Sequence, residues 1–146
     1  MVPVERSQGY AGDLTATEAW TLLSSESDAQ LVDVRTRAEW TFVGLPDVSG
    51  LGRSLHCLEW QSYPTMALNP DFVEQTEVAL GGRKDAPVLF LCRSGARSRA
   101  AAIAMAAAGY TRSFNVAGGF EGDLDGERHR GGQNGWKAAG LPWKQT

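Results

Sequence analysis

The chain has 146 residues, 42% of them hydrophobic and 21% charged, ordinary globular proportions that exclude a disordered or fibrous chain and suffice for one domain with its own core. Fourteen basic against seventeen acidic side chains leave a formal charge of −3, which excludes bulk nucleic-acid binding and confines any cationic site to a local cluster. Two cysteines and two histidines cannot form a disulfide scaffold or a zinc ribbon at these spacings, so no metal site is expected, and a single Cys57–Cys92 bridge stays open.

Met1 to Arg6 lacks the basic-then-apolar pattern of a secretory signal, and the longest apolar run, Ala100 to Ala108, is too short to cross a bilayer. The expectation is a cytoplasmic protein with reduced thiols and no membrane partner. Thr15-Ala16-Thr17-Glu18 spells a capping box, and Ala16, Ala19, Trp20 and Leu23 keep helical spacing up to about Ser24. Leu31-Val32-Asp33-Val34 is a short apolar run carrying one acid, as in a buried parallel strand. Thr36 caps a short helix to Phe42, with Arg35 and Glu39 at the spacing of a local ion pair. Gly44 to Gly52 reads as loop and Ser54 to Trp60 as a strand. Asn69-Pro70 then reads as a cap and first helical residue before a helix over Asp71–Leu80 that Gly81-Gly82 stops.

Val88-Leu89-Phe90-Leu91 is the strongest strand signal, and Cys92 follows it at once. The loop Cys92 to Ser98 leads to an Ala-rich helix over Ala100–Ala108, stopped by Gly109. Ser113 to Val116 is a further strand with a Gly118-Gly119 turn behind it. Glu121 to Gly135 is Gly-rich, charged and without period, hence a surface loop, and Trp136 to Leu141 closes the chain as a short helix. Strands alternate with helices, so the class is α/β with a mainly parallel sheet, in which ligands bind beyond the carboxyl ends of the strands.

Cys92 stands at such an end. A nucleophilic cysteine must be a thiolate near neutral pH, and a helix N-terminus or nearby cations favour that form. Gly95 lets the loop turn its N–H groups inward as an anion nest, and Arg93, Arg97 and Arg99 concentrate positive charge in an otherwise acidic chain. Cys57 reads as a core strand residue, with a resolving thiol in a peroxide sensor as the alternative. Asp33 reads as orienting backbone or a loop arginine. His56 and His129 receive no role. Trp20, Trp40 and Trp60 read as core edges, with Trp60 or Trp136 as a candidate pocket wall.

Cys92-Arg93-Ser94-Gly95-Ala96-Arg97-Ser98 resembles the active-site loop of the rhodanese domains, the single-domain sulfurtransferases. Leu31 to Arg35 with Glu39-Trp40 is similar to that family's first segment, Val116 to Phe120 to its double-glycine turn, and Trp136 to Pro142 to its usual ending. The matches span most of the chain. Two departures stand out: Phe42 to Asp47 replaces a histidine-containing stretch, and Glu121–Gly135 is inserted before the closing tryptophan.

The resemblance implies a rhodanese-like α/β fold: one domain over residues 1–146, a mainly parallel five-stranded sheet and helices on both faces. It implies two-step sulfur transfer with no cofactor. Cys92 takes the sulfane sulfur of thiosulfate or a similar small anionic donor, becomes a persulfide, and passes the sulfur to a thiol, to cyanide or to a protein acceptor. Arg93, Ser94, Gly95, Ala96, Arg97 and Ser98 are the expected substrate-binding residues, their amides holding the sulfur and Arg93 and Arg97 the sulfonate oxygens, with Asp33 and Arg35 in support. Arg93 directly after the cysteine favours a thiosulfate-like dianion over mercaptopyruvate. The rival readings are a cysteine phosphatase or arsenate reductase and a non-catalytic binding module of the same fold. Four residues separate Cys92 from Arg97, one fewer than the phosphatase cradle uses.

Overall fold

Thr15 closes its capping box as its sequence context demands: its hydroxyl accepts the Glu18 N–H at 3.1 Å, and the Glu18 carboxylate accepts the Thr15 N–H at 2.8 Å. The computed structural model describes residues 9–145, so the opening Met1 to Arg6 lies outside the described residues. In chain order the elements are β1 (Gly12–Leu14), α1 (Ala16–Ser25), β2 (Gln30–Asp33), α2 (Arg37–Phe42), β3 (Leu45–Pro46), a 3-10 turn (Ser49–Leu51), β4 (Leu55–Cys57), β5 (Gln61–Ser62), β6 (Ala67–Leu68), α3 (Phe72–Leu80), β7 (Val88–Leu91), α4 (Ala96–Ala107), β8 (Ser113–Val116), α5 (Gly135–Ala138) and β9 (Trp143–Lys144). Five strands form one sheet in the order β1-β8-β7-β2-β4, every neighbouring pair parallel. Two short antiparallel pairs, β3–β9 and β5–β6, stand apart from it.

Alternation along the strands divides the core. Val32, Val88 and Phe90 point into a layer with Phe72 and Leu80 of α3 and with Ala101, Ala102 and Met105 of α4. Leu31, Leu89, Leu91 and Val116 point to the other face, against Ala19 and Leu23 of α1 and Trp136 of α5. The expected α/β architecture is therefore present, with helices on both faces of a five-stranded sheet. Alanines at Ala101 and Ala102 let α4 lie close on β7 and β8.

Three local expectations are corrected. Helix α4 starts at Ala96 rather than Ala100, because Gly95 adopts φ 114° and turns the chain directly into the first helical turn. Helix α3 starts after Asp71, since the Asn69 side-chain Oδ1 accepts the Asp71 N–H at 3.0 Å and is spent one residue too early to cap the helix. Arg35 does not pair with Glu39. It precedes the cap residue of α2, so helical spacing does not apply, and its guanidinium folds back on Asp33: Nε donates to Oδ1 at 2.9 Å and Nη2 to Oδ2 at 2.6 Å.

The Asp33–Arg35 pair is fully buried at the carboxyl end of β2. Arg35 Nη2 also donates to the Gly44 carbonyl at 2.8 Å, and the guanidinium lies 4.4 Å from the Phe120 ring centre. These contacts tie β2, the segment after α2 and the turn after β8 to one cation. Glu39 is left to accept the Thr36 N–H at 3.2 Å and to receive both terminal nitrogens of Arg97, at 2.6 and 2.9 Å. Helix α2 contains no fully buried residue, so this bidentate pair and the Thr36 cap fasten it to the start of α4. Burial pushes the Glu39 carboxyl up, but hydrogen bonds and charge from Arg97, with help from Thr36, outweigh it and hold the group below the ordinary carboxylate value.

Asp33→Ala, which strands the buried Arg35 cation, is expected to lower the unfolding free energy by about 3–5 kcal/mol in urea titrations. Because the folded-state value of Glu39 is depressed, its stabilisation is present above its unfolded value near 4.5 and is lost as pH falls through the lower folded value. Denaturation measured from neutral to acid pH is expected to show wild type more stable than Glu39→Gln at neutral pH, with the gap closing below about pH 4.5. A pH-independent gap contradicts this account of the pair.

Candidate active site

Strand β7 is the middle strand of the sheet, and its alternation carries past Leu91 to place Cys92 on the same face as Val88 and Phe90. The cysteine is only 1% exposed, yet it lines an open cavity of about 680 Å³. Two groups address its sulfur. Gly95 donates its N–H to Sγ at 3.1 Å, and the Ser98 hydroxyl lies 3.2 Å from Sγ. Gly95 reaches the sulfur because its left-handed φ folds the loop back, a conformation a side chain would strain. Ser98 Oγ also lies 2.5 Å from Asn115 Oδ1. Asn115 Nδ2 donates to Asp13 Oδ1 at 3.0 Å, and the Tyr10 hydroxyl donates to the same oxygen at 2.7 Å. A polar chain thus runs from the sulfur beneath α4 to the sheet edge at β1.

The turn after β8 supports the loop from below. Phe120 N–H donates to the Cys92 carbonyl at 2.8 Å, and Glu121 and Gly122 N–H both donate to the Arg93 carbonyl, at 3.0 and 3.1 Å. Gly119 packs so closely here that a Cβ on it would lie 2.5 Å from the Cys92 carbonyl oxygen. Gly119 is what lets the two backbones touch, while Gly118 packs against Asn134 and Gly135.

Helix α2 walls the cavity with Thr36, Ala38, Glu39, Phe42 and Val43; Gln61, Tyr63 and Met66 come from the β5–β6 hairpin, and Glu121 and Arg130 from beyond β8. Among the residues expected at the site, Arg93, Ser94, Ala96 and Arg97 line the cavity beside Cys92, while Gly95 and Ser98 sit behind the sulfur and bond to it. Asp33 and Arg35 lie outside the lining, at the end of the adjacent strand β2. The arginines separate into distinct roles. Arg97 is held by Glu39; burial acts to weaken its charge, but the Glu39 carboxylate more than restores it. Arg99 Nη2 lies 3.8 Å from Asp13 on the far side of α4. Arg93 is exposed and has no carboxylate partner among the described residues.

Sequence reasoning missed Glu39 as a site residue, and with it Asn115, Arg130 and the apolar rim of Phe42, Tyr63 and Met66. Asn115, a carboxamide within a short strand between Phe114 and Val116, was the one readable signal. Trp60 and Trp136 do not wall the cavity. Trp60 packs edge-on to Phe72 at 5.1 Å, and Trp136 is buried on the opposite face, its indole N–H donating to the Pro142 carbonyl at 2.7 Å. His56 Nε2 meets Gln30 Oε1 at 2.7 Å away from the site, and His129 is exposed. Cys57 ends β4 in register with Asp33, which faces Leu91, so two strand spacings of about 4.8 Å separate it from β7, too far for a disulfide to Cys92. Cys57 is not the core residue its strand position suggests: it is exposed where β4 ends. Partial desolvation by its neighbours, reinforced by the Asp33 charge and opposed by Arg35, pushes its thiol up to about 11, so it stays protonated at neutral pH and does not suit a resolving role. Among the described residues there is no group of three or more His, Cys, Asp or Glu placed to hold a metal, and no helix long and apolar enough to cross a membrane.

Comparison with known proteins establishes the family. The family described as the STR4 middle domain matches residues 11–146. An uncharacterized protein of Rickettsia rickettsii is 37% identical over 132 residues, 90% of this chain and 96% of that protein. The thiosulfate sulfurtransferase GlpE of Actinobacillus succinogenes is 30% identical over 130 residues, 89% of this chain and 87% of that protein. The crystal structure of Rv0390 from M. tuberculosis superimposes with a TM-score of 0.85 at 49% identity, covering 94% of this chain and 99% of that one. The chain belongs to the STR4 middle-domain family and, with it, to the rhodanese-like proteins.

Proposed function

We propose that the protein is a sulfurtransferase that accepts a sulfane sulfur from thiosulfate or a similar anionic donor on Cys92 and hands it to a thiophilic acceptor. The observation that carries this reading is the sulfur itself. It lies at the inner end of an open cavity, with the Gly95 N–H and the Ser98 hydroxyl on one side and the start of α4 beneath it. Both groups can hydrogen-bond to an anionic sulfur. The first-turn N–H groups of a helix lack intrahelical partners and present positive potential to an anion. The name of the Actinobacillus relative, a thiosulfate sulfurtransferase, points the same way.

In the first step the Cys92 thiolate attacks the outer sulfur of the donor. A new S–S bond forms, the donor's S–S bond breaks, and sulfite leaves with the electron pair. The persulfide's outer sulfur then projects into the cavity that Ala96 and Arg97 of the first turn of α4 help to line. In the second step an acceptor thiolate, or cyanide, attacks that outer sulfur, and Cys92 departs as thiolate. No general base is needed, in keeping with a cavity that no histidine lines among the described residues. Arg93 supplies charge-assisted hydrogen bonds to the donor's oxyanion. Arg97, already clamped by Glu39, contributes its field and fixes the wall formed by α2. That clamp also counts against a phosphatase, whose arginine must turn both nitrogens into the anion cradle. A site with a retained nucleophile and an open approach suits catalysis better than binding alone. The reading requires reduced thiols, as in a cytoplasmic setting.

Incubation with thiosulfate is expected to add one sulfur atom to the intact mass, and cyanide is expected to remove it. Cys92→Ser is expected to lose both the mass gain and thiosulfate:cyanide transfer completely while keeping the wild-type circular dichroism and melting temperature. Transfer retained in Cys92→Ser overturns the assignment.

A further inference from the structure

We propose that Arg130, carried by the 121–135 segment, recognises the anionic end of the sulfur donor together with Arg93, and so sets the charge preference of the site. The inference rests on the sulfur-transfer reading and adds to it the residue that selects the donor.

The segment is not a loose insertion. Its root is bonded to the active loop, since the Glu121 and Gly122 N–H groups both donate to the Arg93 carbonyl. Its two arms meet where Gly131 N–H donates to the Glu121 carbonyl at 2.6 Å. Its tip is closed by Asp125, whose Oδ1 accepts the N–H of Glu127 at 2.8 Å and of His129 at 2.9 Å. Asn134 seals the base, accepting the Asp123 N–H at 2.7 Å. A Cβ on Gly122 would collide with the Asn134 carbonyl, so this closure needs glycine there.

Within this framework the charged side chains of the tip, Glu127, Arg128 and His129, belong to exposed residues. Arg130 alone among the segment's cations is part-buried, and it lines the Cys92 cavity. Nη1 donates to the Gly122 carbonyl at 2.7 Å, which fixes the guanidinium to the same root that grips Arg93. The other N–H groups of Arg130 have no protein acceptor among the described residues. The remaining arginines near the loop are committed to carboxylates, Arg97 to Glu39 and Arg99 to Asp13. Arg93 and Arg130 therefore supply the uncommitted positive charge at the cavity, and two guanidinium forks suit the several oxygens of a sulfonate-type dianion. Glu121, which also lines the cavity, sets an opposing charge that disfavours an over-long polyanion.

The test compares full-length wild type, Arg130→Gln and Arg130→Lys with two donors, the dianion thiosulfate and a monoanionic alkanethiosulfonate, which passes its terminal sulfur to Cys92 and leaves as sulfinate. Arg130→Gln is expected to raise KM for thiosulfate about tenfold relative to KM for the thiosulfonate, a charge-assisted hydrogen bond's worth of discrimination. Arg130→Lys is expected to fall between Arg130→Gln and wild type. A second readout needs no turnover: protection of Cys92 by sulfate against alkylation by neutral iodoacetamide, where Arg130→Gln is expected to need about tenfold more sulfate for half-protection. Equal changes for both donors, or unchanged KM and protection, overturn the role of Arg130 and leave sulfur transfer standing. Failure of wild type to acquire sulfur overturns the transfer reading instead, and the sulfate comparison then still decides whether Arg130 belongs to an anion site.

Discussion

The site depends on one backbone turn. A buried central strand ends at Cys92, a helix begins at Ala96, and Gly95 makes the reversal with a left-handed φ that aims its N–H at the sulfur. A residue with a Cβ would resist that φ, and any shift of the turn would move the Gly95 amide and the Ser98 hydroxyl together, because Ser98 lies within the first turn of α4. The reversal is braced from below by the turn after β8, where Gly119 permits backbone contact with Cys92 and Arg93. Two glycines in two different connections thus determine where one sulfur sits.

Charge is arranged around this turn by pairing. The loop and first helical turn carry Arg93, Arg97 and Arg99, whose mutual repulsion in a small volume has to be offset. Glu39 reaches Arg97 from α2, and Asp13 faces Arg99 from β1. The first partnership is also mechanical, since it holds a short helix that lacks its own buried face, and that helix forms one wall of the cavity. Arg35 belongs to a different set: fully buried on Asp33, with Phe120 against it, it joins the end of β2 to the turn that braces the active loop. Electrostatics near the sulfur and the rigidity of its surroundings therefore come from the same residues.

Much of this was legible along the chain because it is local. The Thr15 box, the Thr36 cap, the apolar runs of β2 and β7, and the strand–cysteine–glycine–helix order all act within a few residues, and each appears where periodicity and capping put it. What was not legible is pairing at a distance. Glu39 stands near Arg35 in sequence but bonds to Arg97, 58 positions away. β1 is too short and polar to announce itself, and forms because β8 offers it a parallel edge. β3 and β9 exist only as each other's partners. Arg130 sits in a segment without period, and its direction is set by hydrogen bonds to Gly122 that no pattern encodes.

Ser98 shows how a remote edge of the sheet bears on the sulfur. Its hydroxyl has one proton and two neighbours that can accept it, Cys92 Sγ at 3.2 Å and Asn115 Oδ1 at 2.5 Å. The Asn115 amide cannot turn over to relieve the competition, because its Nδ2 is committed to Asp13, which also holds Tyr10. The hydroxyl is therefore held between the sulfur and the sheet edge, and Asp13 at β1, which orients Asn115, positions Ser98 beneath Cys92 through two successive hydrogen bonds. A side chain on the outermost strand thus fixes a group that touches the sulfur on the central one.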